Sequence, residues 1–431
     1  MILDINNFGP ILNARIELKK LNVIAGINGS GKTTSSKLLY CFLTSTSDEK
    51  DYLANLSIYE RFIKIRSSLD LEVEFDLETS DKLRNLYDKF PKLTDMEYNT
   101  KLKKHIAPLK KIINDSQISN KENFIKKLTT LESVLEINNV DHRKFFDVSN
   151  TLLESEFRIS DLKLNNPDVT FHGKQDDCNF LYKLDFDESK WGFKIDEGDS
   201  NCFNINNIIY IDSPSIFNST AVENSIILKK QPYHLRSLSQ ALYSPKNTDD
   251  VYDDLFNQKL EEFSKKISLL IGGYIYFDDD NREFKFKKDD DNYSMNDTAS
   301  GVKQLGILQM LLSNRVLNEN SFIIMDEPEV NIHPEWQVKF AEILALLIKE
   351  LNISVFINSH SPQFIEALEV YSANHDLVDE TQFYLSCEKE DGKFDFEEID
   401  RDDLVILYNN LGDPYDTINK VRADNMKRGI F

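Results

Sequence analysis

The chain has 431 residues, more than one ordinary hydrophobic core accommodates, so two or three domains, or one large domain with an insertion, are expected. With 41% hydrophobic and 29% charged residues it has the balance of a folded globular protein, which excludes a mainly disordered chain. The 51 Lys and Arg stand against 73 Asp and Glu, a net charge of -22; a surface basic all over is excluded, and any nucleic-acid contact must be local or made by a partner.

Four cysteines, Cys41, Cys178, Cys202 and Cys387, are far apart and show no CxxC spacing, so reduced thiols are expected rather than a zinc site or a disulfide framework. The opening Met-Ile-Leu-Asp-Ile-Asn-Asn lacks the charged-then-apolar order of a signal peptide, and no apolar run has the length of a membrane span. A cytoplasmic protein without membrane contact is the expectation.

Residues 2–5, 14–18 and 21–25 read as short strands. The third is apolar except for Asn22, as befits a strand buried on both faces. Directly after it, Gly26-Ile27-Asn28-Gly29-Ser30-Gly31-Lys32-Thr33 satisfies G-x-x-x-x-G-K-[ST] at every fixed position, and a helix is expected over 32–43. Glycines at these places let successive backbone N–H groups turn inward on a phosphate at the helix N-terminus. Asn28, Gly29, Ser30, Gly31, Lys32, Thr33 and Thr34 are thus the candidate ATP-binding residues. Lys32 is the mobile cation for the β- and γ-phosphates, and the Thr33 hydroxyl a hard oxygen for Mg²⁺.

Residues 71–77 alternate apolar and acidic, which predicts a half-exposed strand. From 81 to 164 glycine is absent and Lys, Leu, Ile and Asn recur at helical spacings, which predicts a helical insertion. Within 81–127 twelve Lys and Arg face six acids. This is either a solvated helical face or a docking surface for DNA, RNA or an acidic protein. Strands are expected again at 169–172, 179–186, 191–195 and 208–211, the last ending at Asp212-Ser213-Pro214. A helix over 251–271 and a hairpin at 274–277 and 283–287 follow, the latter flanked by acidic runs at 278–280 and 289–291 that read as solvated turns.

Three further elements carry chemistry. Phe322-Ile323-Ile324-Met325-Asp326-Glu327-Pro328 is an apolar strand that delivers two acids to a sheet edge. Asp326 can hold Mg²⁺ through its water shell, and Glu327 is placed to polarise a water for attack on the γ-phosphate. Thr298-Ala299-Ser300-Gly301-Val302-Lys303-Gln304 opens a helix running towards Val316. Its Ser-Gly pair is an anion-binding element without a phosphate of its own, or else a plain helix cap. Residues 355–359 form a second apolar strand, and it ends at His360, which can hydrogen-bond a γ-phosphate and report its loss, or be structural. The C-terminal residues read as a hairpin at 382–387 and 393–398, then a helix near 402–411.

In the order cradle, Ser-Gly signature, Asp-Glu strand and His strand, the chain resembles the SMC-like and OLD-like branch of ABC-type ATPases. INNFGPILNARIELKKLNVIAGINGSGKTT looks like that branch's first strands and phosphate loop, and DEPEVNIHPEWQ like its Asp-Glu-Pro-Glu…His-Pro stretch. The resemblance implies an α/β fold: an ABC-type P-loop ATPase head with an antiparallel N-terminal β subdomain and a mainly helical insertion. The domains would run 1–80, 81–165 and 166–431. It implies ATP and Mg²⁺ as cofactors. Catalytic roles would fall to Glu327, Lys32 and His360, and metal binding to Thr33 and Asp326. Ser300, Gly301 and Lys303 would cap the γ-phosphate held by a second copy, the loop around Asn331 and His333 would face that copy, and the chain would be a homo-oligomer.

Two departures stand out. No glutamine precedes Gln117, so the lid glutamine of ABC ATPases is unassigned. The signature reads Ala-Ser-Gly-Val-Lys rather than Leu-Ser-Gly-Gly-Gln, which is similar to the OLD-like variant and argues against a transporter motor. About seventy residues follow His360, fewer than a TOPRIM nuclease needs, and the Asp-x-Asp at Asp400–Asp402 reads as helix-capping acids, so no nuclease is expected in the chain itself. Stand-alone ATPases with these features resemble the ATPase subunits of Septu-type and PARIS-type anti-phage systems. That resemblance implies control of a separate effector encoded nearby, commonly a nuclease, under a phage-protein trigger. The alternatives are an SMC-like or RecF-type DNA clamp, and an assembly in which ATP is chiefly structural.

Overall fold

In the computed structural model, strands β1 (Ile2–Phe8) and β2 (Ile11–Glu17) pair antiparallel, and β3 (Leu21–Ala25) runs into the glycine-rich turn and helix α1 (Lys32–Thr46). The structure describes residues 1–47, 50–73, 77–89, 98–137, 141–158, 166–175, 178–187, 190–198, 205, 207–218, 231–243 and 254–427. The fold is α/β and is built on one eleven-stranded sheet, in the order β6-β5-β4-β1-β2-β14-β13-β3-β12-β11-β7.

One side of that sheet is antiparallel: β1 and β2, with β4 (Asp168–Gln175), β5 (Cys178–Asp187) and β6 (Lys190–Glu197). The other side is parallel: β13 (Thr381–Glu388), β3, β12 (Ser354–Ser359), β11 (Ser321–Asp326) and β7 (Asn207–Ile211). The C-terminal hairpin of β13 and β14 (Phe394–Ile399) joins the two by inserting between β2 and β3. The parallel strands are apolar because both faces are covered. Leu21, Val23, Ile323, Met325, Val355 and Ile357 enter one core, and Ile24, Phe322, Ile324 and Phe356 enter the other, as a period of two requires.

The first core is closed by α8 (Asp254–Ile271), α9 (Ser300–Ser313), α10 (Pro334–Leu351) and α11 (Pro362–Asn374). The second is closed by α1 and α6 (Asp141–Glu156) together with the aromatic faces of the antiparallel strands. Phe42 of α1 lies on Phe171 at 3.7 Å between ring centres. Helix α7 (Tyr233–Tyr243) packs beside β7, and α12 (Leu404–Lys427) continues well past the expected end near 411.

Helices α2 (Lys50–Glu72), α3 (Leu77–Tyr87), α4 (Tyr98–Asp115) and α5 (Lys121–Ile137) bury a separate third core. The strand expected at 71–77 is not formed where it is described. Leu71 lies in α2 and Leu77 opens α3, while 74–76 lie outside the described residues. The buried series Ile58, Phe62, Ile65, Leu69, Val73 has helical spacing and outweighs a seven-residue alternation. Helical structure therefore begins by Lys50, and residue 81 falls inside α3. The parts of the insertion at 90–97, 138–140 and 159–165 lie outside the described residues, as do 251–253 at the expected start of α8.

Beyond the hairpin of β8 (Tyr274–Asp278) and β9 (Glu283–Lys288), the second acidic run forms an exposed turn at 289–290, and a third strand not expected from the sequence, β10 (Asp291–Ser294), follows it. Asp278 in the first acidic run is tied to Lys285 at 2.6 Å. Cys41 is buried and Cys387 half-buried, both as free thiols; the side chains of Cys178 and Cys202 lie outside the described residues. Among the described residues no helix is long and apolar enough to cross a membrane.

Candidate nucleotide site

The parallel strands β3, β12, β11 and β7 end at one edge, and a cavity of about 450 Å³ opens there. Every expected cradle residue lines it: Asn28, Gly29, Ser30, Gly31, Lys32, Thr33 and Thr34. Two glycines are required by space and conformation. A side-chain carbon on Gly31 would sit 2.6 Å from Ile11 Cγ1, and Gly31 has φ +98. One on Gly26 would sit 1.7 Å from Ser386 Oγ, which itself hydrogen-bonds Ser30 Oγ at 2.9 Å. The Lys32 ammonium folds back to donate to the carbonyls of Gly26 (2.8 Å) and Ile27 (2.9 Å) and lies 3.8 Å from Glu327 Oε1. Burial lowers its pKa, opposed by the charges of Glu327, Asp326 and Glu329.

Thr33 and Asp326 meet at the cavity floor, with Thr33 Oγ1 donating to Asp326 Oδ2 at 2.6 Å. Asp326 is held from two more sides. Asn358 Nδ2 donates to its Oδ1 (3.0 Å) and to Ser36 Oγ (2.9 Å), and Tyr210 Oη reaches its Oδ2 at 3.4 Å. Ser36 and Tyr210 share a further hydrogen bond at 2.9 Å. Two hard oxygens aimed at the end of a phosphate cradle suit Mg²⁺, which is bound by few protein oxygens and completes its shell with phosphate and water. No group of three His, Cys, Asp or Glu that could hold a metal ion gathers among the described residues.

Glu327 leaves the strand in a left-handed backbone conformation, φ +50, with its N–H donating to the Asn358 carbonyl at 2.9 Å. Such conformations cost free energy and cluster at functional sites. Its carboxylate lies 3.3 Å from His360 Nδ1, so Lys32, Glu327 and His360 form one chain of contacts. Glu329, 3% exposed, sits behind His360. It accepts from Ser359 Oγ (2.6 Å) and the His360 N–H (3.1 Å) and lies 3.5 Å from His360 Nδ1. Burial raises its pKa, and those same hydrogen bonds oppose the rise.

The signature residues are placed differently. Ser300, at the start of α9, is exposed, while Gly301 and Lys303 are buried, and none of the three lines the cavity. Gly301 packs against the Asn331 carbonyl, where a side-chain carbon would come within 2.7 Å, and Asn331 does line the cavity. His333 caps α10. One turn beyond Ser300, Gln304 forms part of the cavity wall, as do Pro10, Asp212, Ser213 and Pro214. The 212–214 turn has no role assigned from its sequence alone. Its signal was available: like Asp326, Asp212 ends an apolar parallel strand, and ligands collect at such ends. Asn358, Ser36 and Tyr210 carry no comparable local mark, and the Asp-Glu-Pro-Glu stretch that contains Glu329 does not show that it braces His360.

Among solved structures the fold is similar to the SMC head domain from Thermotoga maritima, at 10% identity and a TM-score of 0.37 over 93% of this chain and 98% of that one. It is also similar to an SMC head bound to the C-terminal winged-helix domain of ScpA, at 10% identity and a TM-score of 0.44 over 94% and 98%. A third is an SMC head with an extended coiled coil bound to the C-terminal domain of ScpA from Pyrococcus furiosus, at 10% identity and a TM-score of 0.34 over 98% of each chain. No curated protein matches the chain significantly. The AAA ATPase domain model matches residues 1–365, a span that includes the cradle, the Asp-Glu strand and His360, and the chain belongs to that family.

Proposed function

We propose that the chain binds Mg-ATP in this cavity, hydrolyses it, and works as an oligomer whose sites are completed by a second copy. One observation carries the reading: Lys32, Glu327 and His360 contact one another in series, and Thr33 and Asp326 meet beside them. Backbone N–H groups of 28–34 hold the phosphates. Lys32 gives up two carbonyl contacts to pair with the β- and γ-phosphates. Thr33 and Asp326 would hold Mg²⁺, which when bound neutralises charge on the phosphates. Glu327 orients and polarises the attacking water. His360, steadied by Glu329, meets the γ-phosphate. Ser300, Gly301 and Lys303 lie off their own cavity, which supports their capping a neighbour's γ-phosphate. Mixing two inactive variants tests the composite site. Lys32→Ala and Ser300→Arg should each lose turnover, and an equimolar mixture should regain a fraction of it. A Ser300→Arg variant that hydrolyses ATP at the normal rate removes the composite site from the proposal.

The biological reading is an ATPase that controls a separate effector in anti-phage defence. It is motivated by the series Lys32, Glu327 and His360 beside a helical segment with its own core. Co-purification from the native host tests it, and a chain that elutes alone, with and without ATP, would count against it. A DNA clamp is the second reading, favoured by exposed Lys104, Lys111, Lys126 and Lys127 on α4 and α5. It requires DNA binding that ATP strengthens and salt weakens steeply.

A further inference from the structure

An ionic cluster runs from the interior of the head to the cavity wall, buried at His234 and Glu156 and open at Asp212. His234, in the first turn of α7, is 1% exposed, and the Glu156 side chain, at the end of α6, is 0% exposed. Glu156 Oε2 lies 2.6 Å from His234 Nδ1, and Asp212 Oδ2 lies 3.1 Å from His234 Nε2. Glu156 Oε1 accepts from the His234 backbone N–H at 3.0 Å, and Ser155 Oγ from that of Tyr233 at 2.6 Å, so the end of α6 caps the start of α7. Lys37 of α1 approaches Glu156 Oε2 at 3.8 Å. The Tyr210 ring lies 4.8 Å from the imidazole, and Tyr40 meets it edge-on at 6.2 Å.

A neutral imidazole donates from one nitrogen only. With a carboxylate on each side, the ring is held as a cation donating to both. Burial alone would lower its pKa, but the hydrogen bonds and charges of Asp212 and Glu156 outweigh that and raise it to about 9. A buried ion pair such as His234 and Glu156 seldom stabilises more than apolar residues of similar volume would. The cluster also ends at Asp212, which lines the nucleotide cavity two residues beyond Tyr210, itself in contact with Asp326.

We propose that His234 is a positioning residue of the nucleotide site: it pins the Asp212 carboxylate in the cavity wall and, through Glu156, couples that wall to the helix that returns from the helical segment. The inference rests on the reading of the cavity as an ATP site. A shift of α6 would then be felt at Asp212, so the helical segment and the nucleotide sense each other without direct contact.

The test is a double-mutant cycle on ATP turnover by folded protein, with binding of a fluorescent ATP analogue and thermal melting measured alongside. His234→Gln and Asp212→Asn should each lower turnover about tenfold, and the double variant should be no slower than the slower single one, because the two residues act as a unit. If His234→Gln does not fold, Glu156→Gln takes its place in the same cycle with the same expectation. A purely structural His234 would give variants that melt earlier but turn over normally, or effects that multiply with Asp212→Asn; either result overturns the proposal. If the wild-type protein neither binds nor hydrolyses ATP, the reading of the site fails and this inference with it. Normal wild-type turnover beside a normal His234→Gln variant defeats the inference alone.

Discussion

Lys32→Ala isolates the contribution of the cradle's one cation. In the structure the ammonium is nearly buried and already makes two hydrogen bonds, to the Gly26 and Ile27 carbonyls. Nucleotide binding exchanges these for contacts with phosphate oxygens. The carbonyl and phosphate bonds are both donated by the charged ammonium, about 1.5–3 kcal/mol each, and nearly cancel in the exchange. What binding gains is the attraction between the ammonium and the phosphate charge, about 3 kcal/mol at an effective dielectric of about 20, so truncation should cost roughly 100-fold in Kd. Titration calorimetry of Mg-ATP into the wild-type and variant proteins measures it directly. The folded state should change little, because the alanine leaves the backbone donors of the cradle intact. A variant that binds Mg-ATP within about threefold of wild type would show that Lys32 does not bind the phosphates, and would refute the exchange of partners.

Gly31→Ala should destabilise the protein by about 2–4 kcal/mol, because the new carbon meets Ile11 Cγ1 at 2.6 Å and the backbone stays at φ +98; urea unfolding reads the loss. Phe42→Ala should cost about 3–5 kcal/mol in the same assay, since the ring is fully buried against Phe171, Tyr182 and Phe193. The His234 cluster gives stability a pH dependence with a definite sign. Its folded-state pKa of about 9 lies above the ordinary 6.5, so its stabilisation is complete below pH 6.5 and is lost as pH rises through 9. Denaturation midpoints of the wild type should fall over that range, while those of His234→Gln should fall less; equal slopes would remove the imidazolium from the cluster.

Much of the head was legible because its signals are local. Leu21–Ala25 reads as a buried strand from five residues, the cradle from eight, and Asp326 from the apolar run that carries it. The alternation at 71–77 spans too short a window to show the 58, 62, 65, 69, 73 spacing, whose helical period is plain over sixteen residues. The support of the site was not legible at all. Asn358 braces Asp326 across thirty-two positions, Glu329 braces His360 across thirty-one, and His234 joins Glu156 to Asp212 across seventy-eight and twenty-two. Those partnerships exist only once parallel strands bring distant residues to one edge, as does the insertion of β13 and β14 between β2 and β3. Asp212 is the intermediate case: its place at a strand end was visible, but nothing nearby indicated what would hold it.

Phosphate release with Mg-ATP, compared between the wild type and Glu327→Gln, is the most direct measurement of whether this cavity is an ATPase site. Glu327 lies between Lys32 and His360 at the end of β11, and the amide keeps its size while removing the base. The expected result is Mg²⁺-dependent release by the wild type and a Glu327→Gln protein that binds ATP but holds it uncleaved. Wild-type protein that releases no phosphate, or a Glu327→Gln variant that releases it at the wild-type rate, would contradict the assignment.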